Sequence, residues 1–199
     1  MTKWQEITAA SPERMKVGKS APGTEGIWIF VLMDMGIFLL VFLAFMTERR
    51  ANLEQYIAGQ QQLNPLFGLV NTLILLLSSW LVFEAVCSAR QSLSVRAARQ
   101  LGFAITLGGV FCLSKLLEYY QKLSVAIDIN NSFIAFYFFI TMVHLLHVLA
   151  GLLFLNGYRR AFQENSQPAV HLSGIENAGL FWHFIDVLWI FIFPLLYLI

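Results

Sequence analysis

Residues 132–158, SFIAFYFFITMVHLLHVLAGLLFLNGY, decide the architecture, because no Asp, Glu, Lys or Arg interrupts them. A helix rises about 1.5 Å per residue and the hydrocarbon core of a bilayer is about 30 Å thick, so a run of this length spans a membrane. Working outward, further apolar stretches fall at 26–46, 66–88, 101–120 and 177–199. Each supplies the roughly 20 residues a crossing needs. Strand-like alternation is absent, which argues against a barrel. The expected fold class is all-α: an integral membrane bundle of five transmembrane helices over 26–199, preceded by a polar N-terminal segment over 1–25. Punctuation supports the division. Asn64-Pro65 opens the second span, Asn130-Asn131 precedes the fourth, and Gln167-Pro168 sits in the loop before the fifth. No internal repeat is visible, and an odd number of spans argues against a simple duplicated transporter.

Composition agrees. Of 199 residues, 58% are hydrophobic and 13% charged, with a mean hydropathy of +0.66. Soluble domains run near half apolar and a quarter charged. A formal net charge of +1 leaves no broad basic surface for nucleic acid. Cys87 and Cys112 stand singly inside apolar runs, outside any metal-binding spacing, and read as buried thiols. The first apolar run is too long for the core of a cleavable signal peptide, so the first helix is expected to act as an uncleaved anchor. Lys3, Arg14, Lys16, Lys19, Arg90, Arg96, Arg99, Arg159 and Arg160 lie on one side of the spans; Arg49, Arg50 and Lys122 lie on the other. By the positive-inside rule the N-terminus is cytoplasmic and the C-terminus outside.

The polar residues inside the spans carry the functional information, because a charge in the bilayer core is costly and requires a partner. Three helices carry them as i,i+3 pairs on one face: Lys115/Glu118, His144/His147 and His183/Asp186. Asp34 lies about 12 Å from the cytoplasmic end of its helix, His183 about 9 Å and Asp186 about 14 Å. Glu84 lies about 6 Å from that side. The depths separate an inner layer, Asp34, His144, His147, His183 and Asp186, from an outer one of Asn71, Lys115 and Glu118. Asp34, His147, His183 and Asp186 are expected to form one cluster across the first, fourth and fifth helices. It serves either to anchor the helices or to conduct protons. Lys115/Glu118 is either a self-neutralising pair or an ion-exchange site. No complete ligand set for a metal or haem is present, so no cofactor is expected. Gly102 and Gly109 on the third helix and Gly151 on the fourth are expected at close helix contacts.

These residues resemble a family. Residues 176–193, ENAGLFWHFIDVLWIFIF, are similar to the last helix of haem–copper oxidase subunit III, with its E…YWHFVDxVW signature. Residues 141–151, TMVHLLHVLAG, resemble that family's TGxHGxHVxxG. Asn71-Thr72 with Ser78-Ser79 is similar to its NT…LLxSS, Glu118-Tyr119 to its helix ending in EY, and residues 30–34, FVLMD, to its FxxSE. The likeness runs in order over 26–199. Full-length members have seven helices, of which this chain matches the last five, as in short quinol-oxidase-type subunits. Asp34 stands for the usual glutamate, Met142 and Leu145 replace motif residues, and Lys115 sits where many members are neutral. Ile27-Trp28, Asp34-Met35 and Lys115…Glu118-Tyr119 look most like the NorE branch, associated with nitric oxide reductase in denitrifying bacteria. The resemblance implies a cofactor-free accessory subunit in a bacterial inner membrane. It would pack beside the catalytic subunit of a haem–copper oxidase or nitric oxide reductase, hold membrane lipids in a cleft, and support assembly or proton uptake. Competing readings are subunit III of a terminal quinol or cytochrome c oxidase, a free-standing transporter or proton channel using Asp34, His183 and Asp186, and a haem-binding electron carrier. Co-purification separates the accessory subunit from the channel, and an optical spectrum tests the carrier.

Overall fold

The computed structural model describes the backbone of residues 23–124, 131–164 and 168–199, and the side chains of all of these except 168–170. Most of the polar segment over 1–25, Asn130 and Gln167 therefore lie outside the described residues. Asparagines start two of the helices. Asn64 Oδ1 accepts from the backbone N–H of Leu66 at 3.0 Å and of Phe67 at 3.4 Å. The following Pro65 has no N–H to satisfy at the first helical position. Asn131 Oδ1 accepts from Phe133 N at 3.0 Å in the same way.

The helices are α1 (Glu25–Ala51), α2 (Leu53–Gln60), α3 (Pro65–Arg90), α4 (Ser94–Ser124), α5 (Ser132–Gln163) and α6 (Pro168–Tyr197), with no strand among the described residues. All but α2 contain a stretch long and apolar enough to cross a membrane. Leu32, Leu40, Leu113 and Leu153 point outward on them. Such side chains would be aggregation patches in water and are at home in lipid.

The first, third and fourth spans run four or five residues past their expected ends, and two helices start well before the expected residue. The fourth begins at Ser94 because 94–100 is amphipathic: Ala97, Ala98 and Leu101 are buried, and Ser88 Oγ donates to Gln100 Oε1 at 2.8 Å. The sixth begins at Pro168, so the proline heads a helix where a loop was expected. The polar turn before 177 is fastened by Arg90 to Glu176 at 2.8 Å and by Thr24 N–H to Asn177 Oδ1 at 2.8 Å. Helix α2 was not expected at all. It packs Tyr56 edge-on against Phe45 at 5.2 Å and Phe133 at 5.5 Å. Burial there, with Glu48 adding to it, pushes the Tyr56 phenol up to about 12, so the hydroxyl stays neutral.

Helices α3, α4, α5 and α6 form a ring of mutual neighbours, and α1 lies outside it against α5, α6 and α2. Trp182 and Trp189 of α6 are fully buried at the centre. A Cβ on Gly151 would lie 2.8 Å from Trp182 Cε3, and one on Gly108 would lie 2.7 Å from Leu152 Cδ2 and 2.9 Å from Trp182 Cη2. The indole thus fits only because both glycines lack side chains. Gly151 holds the expected role, whereas Gly109 faces open space. Its neighbour Gly108 makes the close contact, because one residue turns a helix by about 100°. At Gly102 a Cβ would meet the Arg159 side chain, with Nε at 3.4 Å. Cys112 is buried and Cys87 half-buried, both as free thiols.

Gly151→Leu must displace Trp182, an overpacking that costs about 1–3 kcal/mol. We predict a clear loss of monodisperse protein on detergent size-exclusion for this variant and wild-type yield for Gly109→Leu. Equal yields from the two would contradict the packing described.

Candidate functional site

A closed polar network lies at the level where α4, α5 and α6 meet. Lys115 is 1% exposed, and a lysine ammonium has three N–H donors and no acceptor. All three are matched: Glu118 Oε2 at 2.8 Å, Tyr197 Oη at 3.0 Å and Tyr137 Oη at 3.3 Å. Tyr197 then donates its own hydroxyl proton to Glu118 Oε1 at 2.7 Å, closing a ring of contacts. Four aromatic faces surround the ammonium, those of Trp189 at 5.1 Å, Tyr137 at 5.2 Å, and Tyr119 and Tyr197 at 5.6 Å. Cation–π attraction of this kind strengthens where water is excluded. Beside it, Tyr119 Oη donates to Thr141 Oγ1 at 2.8 Å, which donates to the Tyr137 carbonyl at 2.6 Å. Asn71 of α3 joins the same level, accepting from Ser114 Oγ at 2.7 Å.

The other polar residues fall into separate places. Asp34 Oδ2 of α1 lies 3.5 Å from His147 Nε2 of α5. His147 Nδ1 is 2.8 Å from the Val143 carbonyl. A carbonyl only accepts, so Nδ1 carries a proton and Nε2 is the nitrogen that faces Asp34. On the α3–α6 interface, His183 Nδ1 and Ser79 Oγ share a hydrogen bond at 2.6 Å. Asp186 also faces Ser79, but its carboxylate oxygens accept no well-formed hydrogen bond. Among the described residues, no hydrogen bond or ion pair joins Asp34 and His147 to His183 and Asp186. His144 stands apart from both. It is completely buried, its ring tilted against Trp189 with centroids 5.1 Å apart and edge-on to Phe111 at 5.8 Å, with both ring nitrogens unpartnered. Glu84 is 3.9 Å from Arg96.

Sequence reasoning missed Tyr137 and Tyr197, and it quoted Thr141, Ser79 and Trp189 within family-like motifs without assigning them a contact. The available signal was the tyrosine hydroxyl itself, which in an apolar span needs a partner. Trp189 Nε1 donates to Thr72 Oγ1 at 3.0 Å, another α6–α3 link. An apolar cavity of about 570 Å³ opens between α1, α5 and α6, lined by Ile27, Phe30, His147, Phe154 and Phe181 among others. Among the described residues no group of three or more His, Cys, Asp or Glu side chains is placed to hold a metal.

Comparison with known proteins completes the picture. The family model for cytochrome c oxidase subunit III matches residues 13–199. Cytochrome c oxidase subunit 3 of Synechocystis sp. is 30% identical over 175 residues, covering 87% of this chain and 74% of the relative. Cytochrome bo(3) ubiquinol oxidase subunit 3 of Pseudomonas aeruginosa is 29% identical over 178 residues, covering 87% and 83%. Cytochrome c oxidase subunit 3 of Corynebacterium diphtheriae is 28% identical over 195 residues, covering 96% and 95%.

Lys115→Met strands the Glu118 carboxylate in the interior, and breaking one side of a buried ion pair costs about 3–5 kcal/mol. We predict a strongly lowered unfolding midpoint in detergent for Lys115→Met and substantial recovery in Lys115→Met/Glu118→Gln. A double variant no better than the single one would show that the pair is not what the lysine contributes.

Proposed function

The chain belongs to the cytochrome c oxidase subunit III family, and from that premise we propose that it is a non-catalytic accessory subunit of a haem–copper oxidase superfamily complex, set beside the catalytic subunit in a bacterial inner membrane. One observation carries the reading. The family-like residues of α6 are engaged in joining helices: Trp182 fills the space left by Gly108 and Gly151, His183 bonds Ser79, and Trp189 bonds Thr72. Lys115 and Glu118 saturate one another together with two tyrosines. A scaffold is what such an interior supplies. The apolar cavity between α1, α5 and α6 suits lipid chains, and the Asp34–His147 pair beside it supports either anchoring of α1 or proton uptake by the partner.

The finer assignment is to the NorE branch and hence to nitric oxide reductase, denitrification and respiratory electron transport. The support for it is sequence: Ile27-Trp28, Asp34-Met35 and Lys115 with Glu118-Tyr119. A second reading, subunit III of a terminal cytochrome c or quinol oxidase, is favoured by the names of the relatives.

Gentle detergent extraction of a tagged chain from its membrane, followed by identification of the retained proteins, tests these readings. We predict that the catalytic subunit of nitric oxide reductase is retained. Retention of a terminal oxidase instead would transfer the assignment to the second reading, and a chain retaining neither would remove the accessory role. Asp34→Asn, which keeps size and hydrogen bonding, should preserve association, whereas Asp34→Ala should weaken it by leaving His147 unmatched. Loss of partner turnover in Asp34→Asn with assembly intact would place Asp34 in proton handling rather than anchoring.

A further inference from the structure

A second cavity, of about 600 Å³, lies on the opposite side of α5 from the α1 groove, between the first turns of α4 and the last turns of α5. Its wall is apolar at Val95, Phe103, Ile105 and Phe162, and two guanidinium groups, those of Arg99 and Arg159, stand at it. The volume is in the range of small-molecule sites.

Among the described arginines at this end of the bundle, Arg99, Arg159 and Arg160 make no ion pair, and of these Arg99 and Arg159 line the cavity. Arg90 is paired with Glu176 at 2.8 Å and Arg96 lies 3.9 Å from Glu84. Among the described residues, Arg99 and Arg159 have no carboxylate within ion-pair distance and no hydrogen-bond acceptor. Arg159 is half-buried and lies over Gly102, whose missing side chain makes room for it. Two like charges therefore share one recess with no carboxylate among the described residues to neutralise them. In the medium that surrounds a membrane helix end this arrangement favours an anion.

The recess is charged at one end only. Thr106 lies seven residues beyond Arg99, about 10 Å further along the helix toward the membrane centre. Phe103 and Ile105 line the way there. A ligand that fits must carry a negative charge at the level of the arginines and an apolar body running inward from it.

We propose that the α4–α5 groove is a binding site for an anionic phospholipid, its phosphate clamped between Arg99 and Arg159 and an acyl chain lying over Gly102 against Phe103 and Ile105. Arginine suits this role because its planar fork of N–H donors matches phosphate oxygens in pairs. The end of the bundle concerned is the one on which basic residues concentrate, where an anionic inner leaflet would supply the ligand. The proposal does not depend on which catalytic subunit the chain accompanies, nor on the cavity beside Asp34 and His147.

The test uses the purified full chain, delipidated and returned to nanodiscs of phosphatidylcholine containing a minor fraction of phosphatidylglycerol, with retained lipid counted by native mass spectrometry. Wild type should hold one phosphatidylglycerol selectively, and added salt should weaken that retention. Arg99→Gln and Arg159→Gln should each reduce retention about fivefold, the loss expected for one basic side chain near a lipid headgroup. Gly102→Leu, which keeps both charges and fills the floor, should reduce it as well. Each variant is first shown to have the wild-type unfolding midpoint, so that misfolding cannot imitate the result. Equal retention of phosphatidylcholine, undiminished retention in Arg99→Gln/Arg159→Gln, or displacement by inorganic phosphate alone would overturn the proposal. So would loss of the catalytic partner from the double arginine variant with lipid retention unchanged, which would make the groove a protein interface.

Discussion

An ammonium group with no access to water organises this bundle. Lys115 sits inside a helix that crosses the membrane, and an isolated charge there is untenable. Glu118 one turn along answers the charge, but two helical neighbours alone leave N–H donors and carboxylate lone pairs unfilled. Tyr137 from α5 and Tyr197 from α6 fill them. The network can close only if those two helices are at the right height and rotation against α4. In lipid, where apolar side chains gain nothing from leaving water, hydrogen bonds and close packing set which helices associate. The same logic places Trp182 over Gly108 and Gly151, Trp189 on Thr72, and Ser78 Oγ on the Ala104 carbonyl at 3.0 Å. The ring of α3 to α6 is a consequence of these matched contacts.

Helix α1 is held on different terms. It buries few of its side chains, chiefly Phe38 and Phe45, and meets the ring through Asp34 near His147, through aromatic contacts such as Phe38 with His147 at 5.9 Å, and through the short α2 beyond its end. The cavity that opens between it and α5–α6 follows from that sparse contact. A rigid four-helix ring with a loosely apposed fifth span, lipid-sized grooves on both sides of α5 and an interior whose polar groups mostly bind one another is suited to supporting a neighbour. His144 and Asp186 are exceptions within that interior, as are Asn71 Nδ2, Trp182 Nε1, Tyr56 Oη and Asp34 Oδ2, each buried without a hydrogen-bond partner among the described residues.

Much of the fold was legible, for physical reasons that also explain the remainder. Five spans could be read because a bilayer fixes the length of an apolar run. Helix α2 could not, since eight residues carry too few turns to show a period, and its reason to form is tertiary: Tyr56 seated between Phe45 and Phe133. The early starts of α4 and α6 were hidden because their first turns are polar and lie beyond the hydrophobic stretch. In the site, Lys115 and Glu118 could be paired from spacing alone, both being on one helix. Tyr137 and Tyr197, 22 and 82 residues from Lys115, belong to pairings that spacing cannot reveal. Depth estimates put Asp34, His147, His183 and Asp186 in one layer, but rotation about the helix axes decides which of them meet, and the structure seats Asp34 by His147 and His183 by Ser79. The same rotation separates Gly108 from Gly109.

Lys115 binds α4 to α6 through Tyr197, and a double-mutant cycle measures that coupling directly. Unfolding free energies of wild type, Lys115→Met, Tyr197→Phe and the double variant would be compared in one detergent. Groups that share a buried hydrogen-bond network couple by at least about 0.5 kcal/mol, so the double variant should lose clearly less than the two single losses added together. Strictly additive losses would mean that the lysine and the tyrosine do not interact across the helices, and the network would not be what holds the bundle in register.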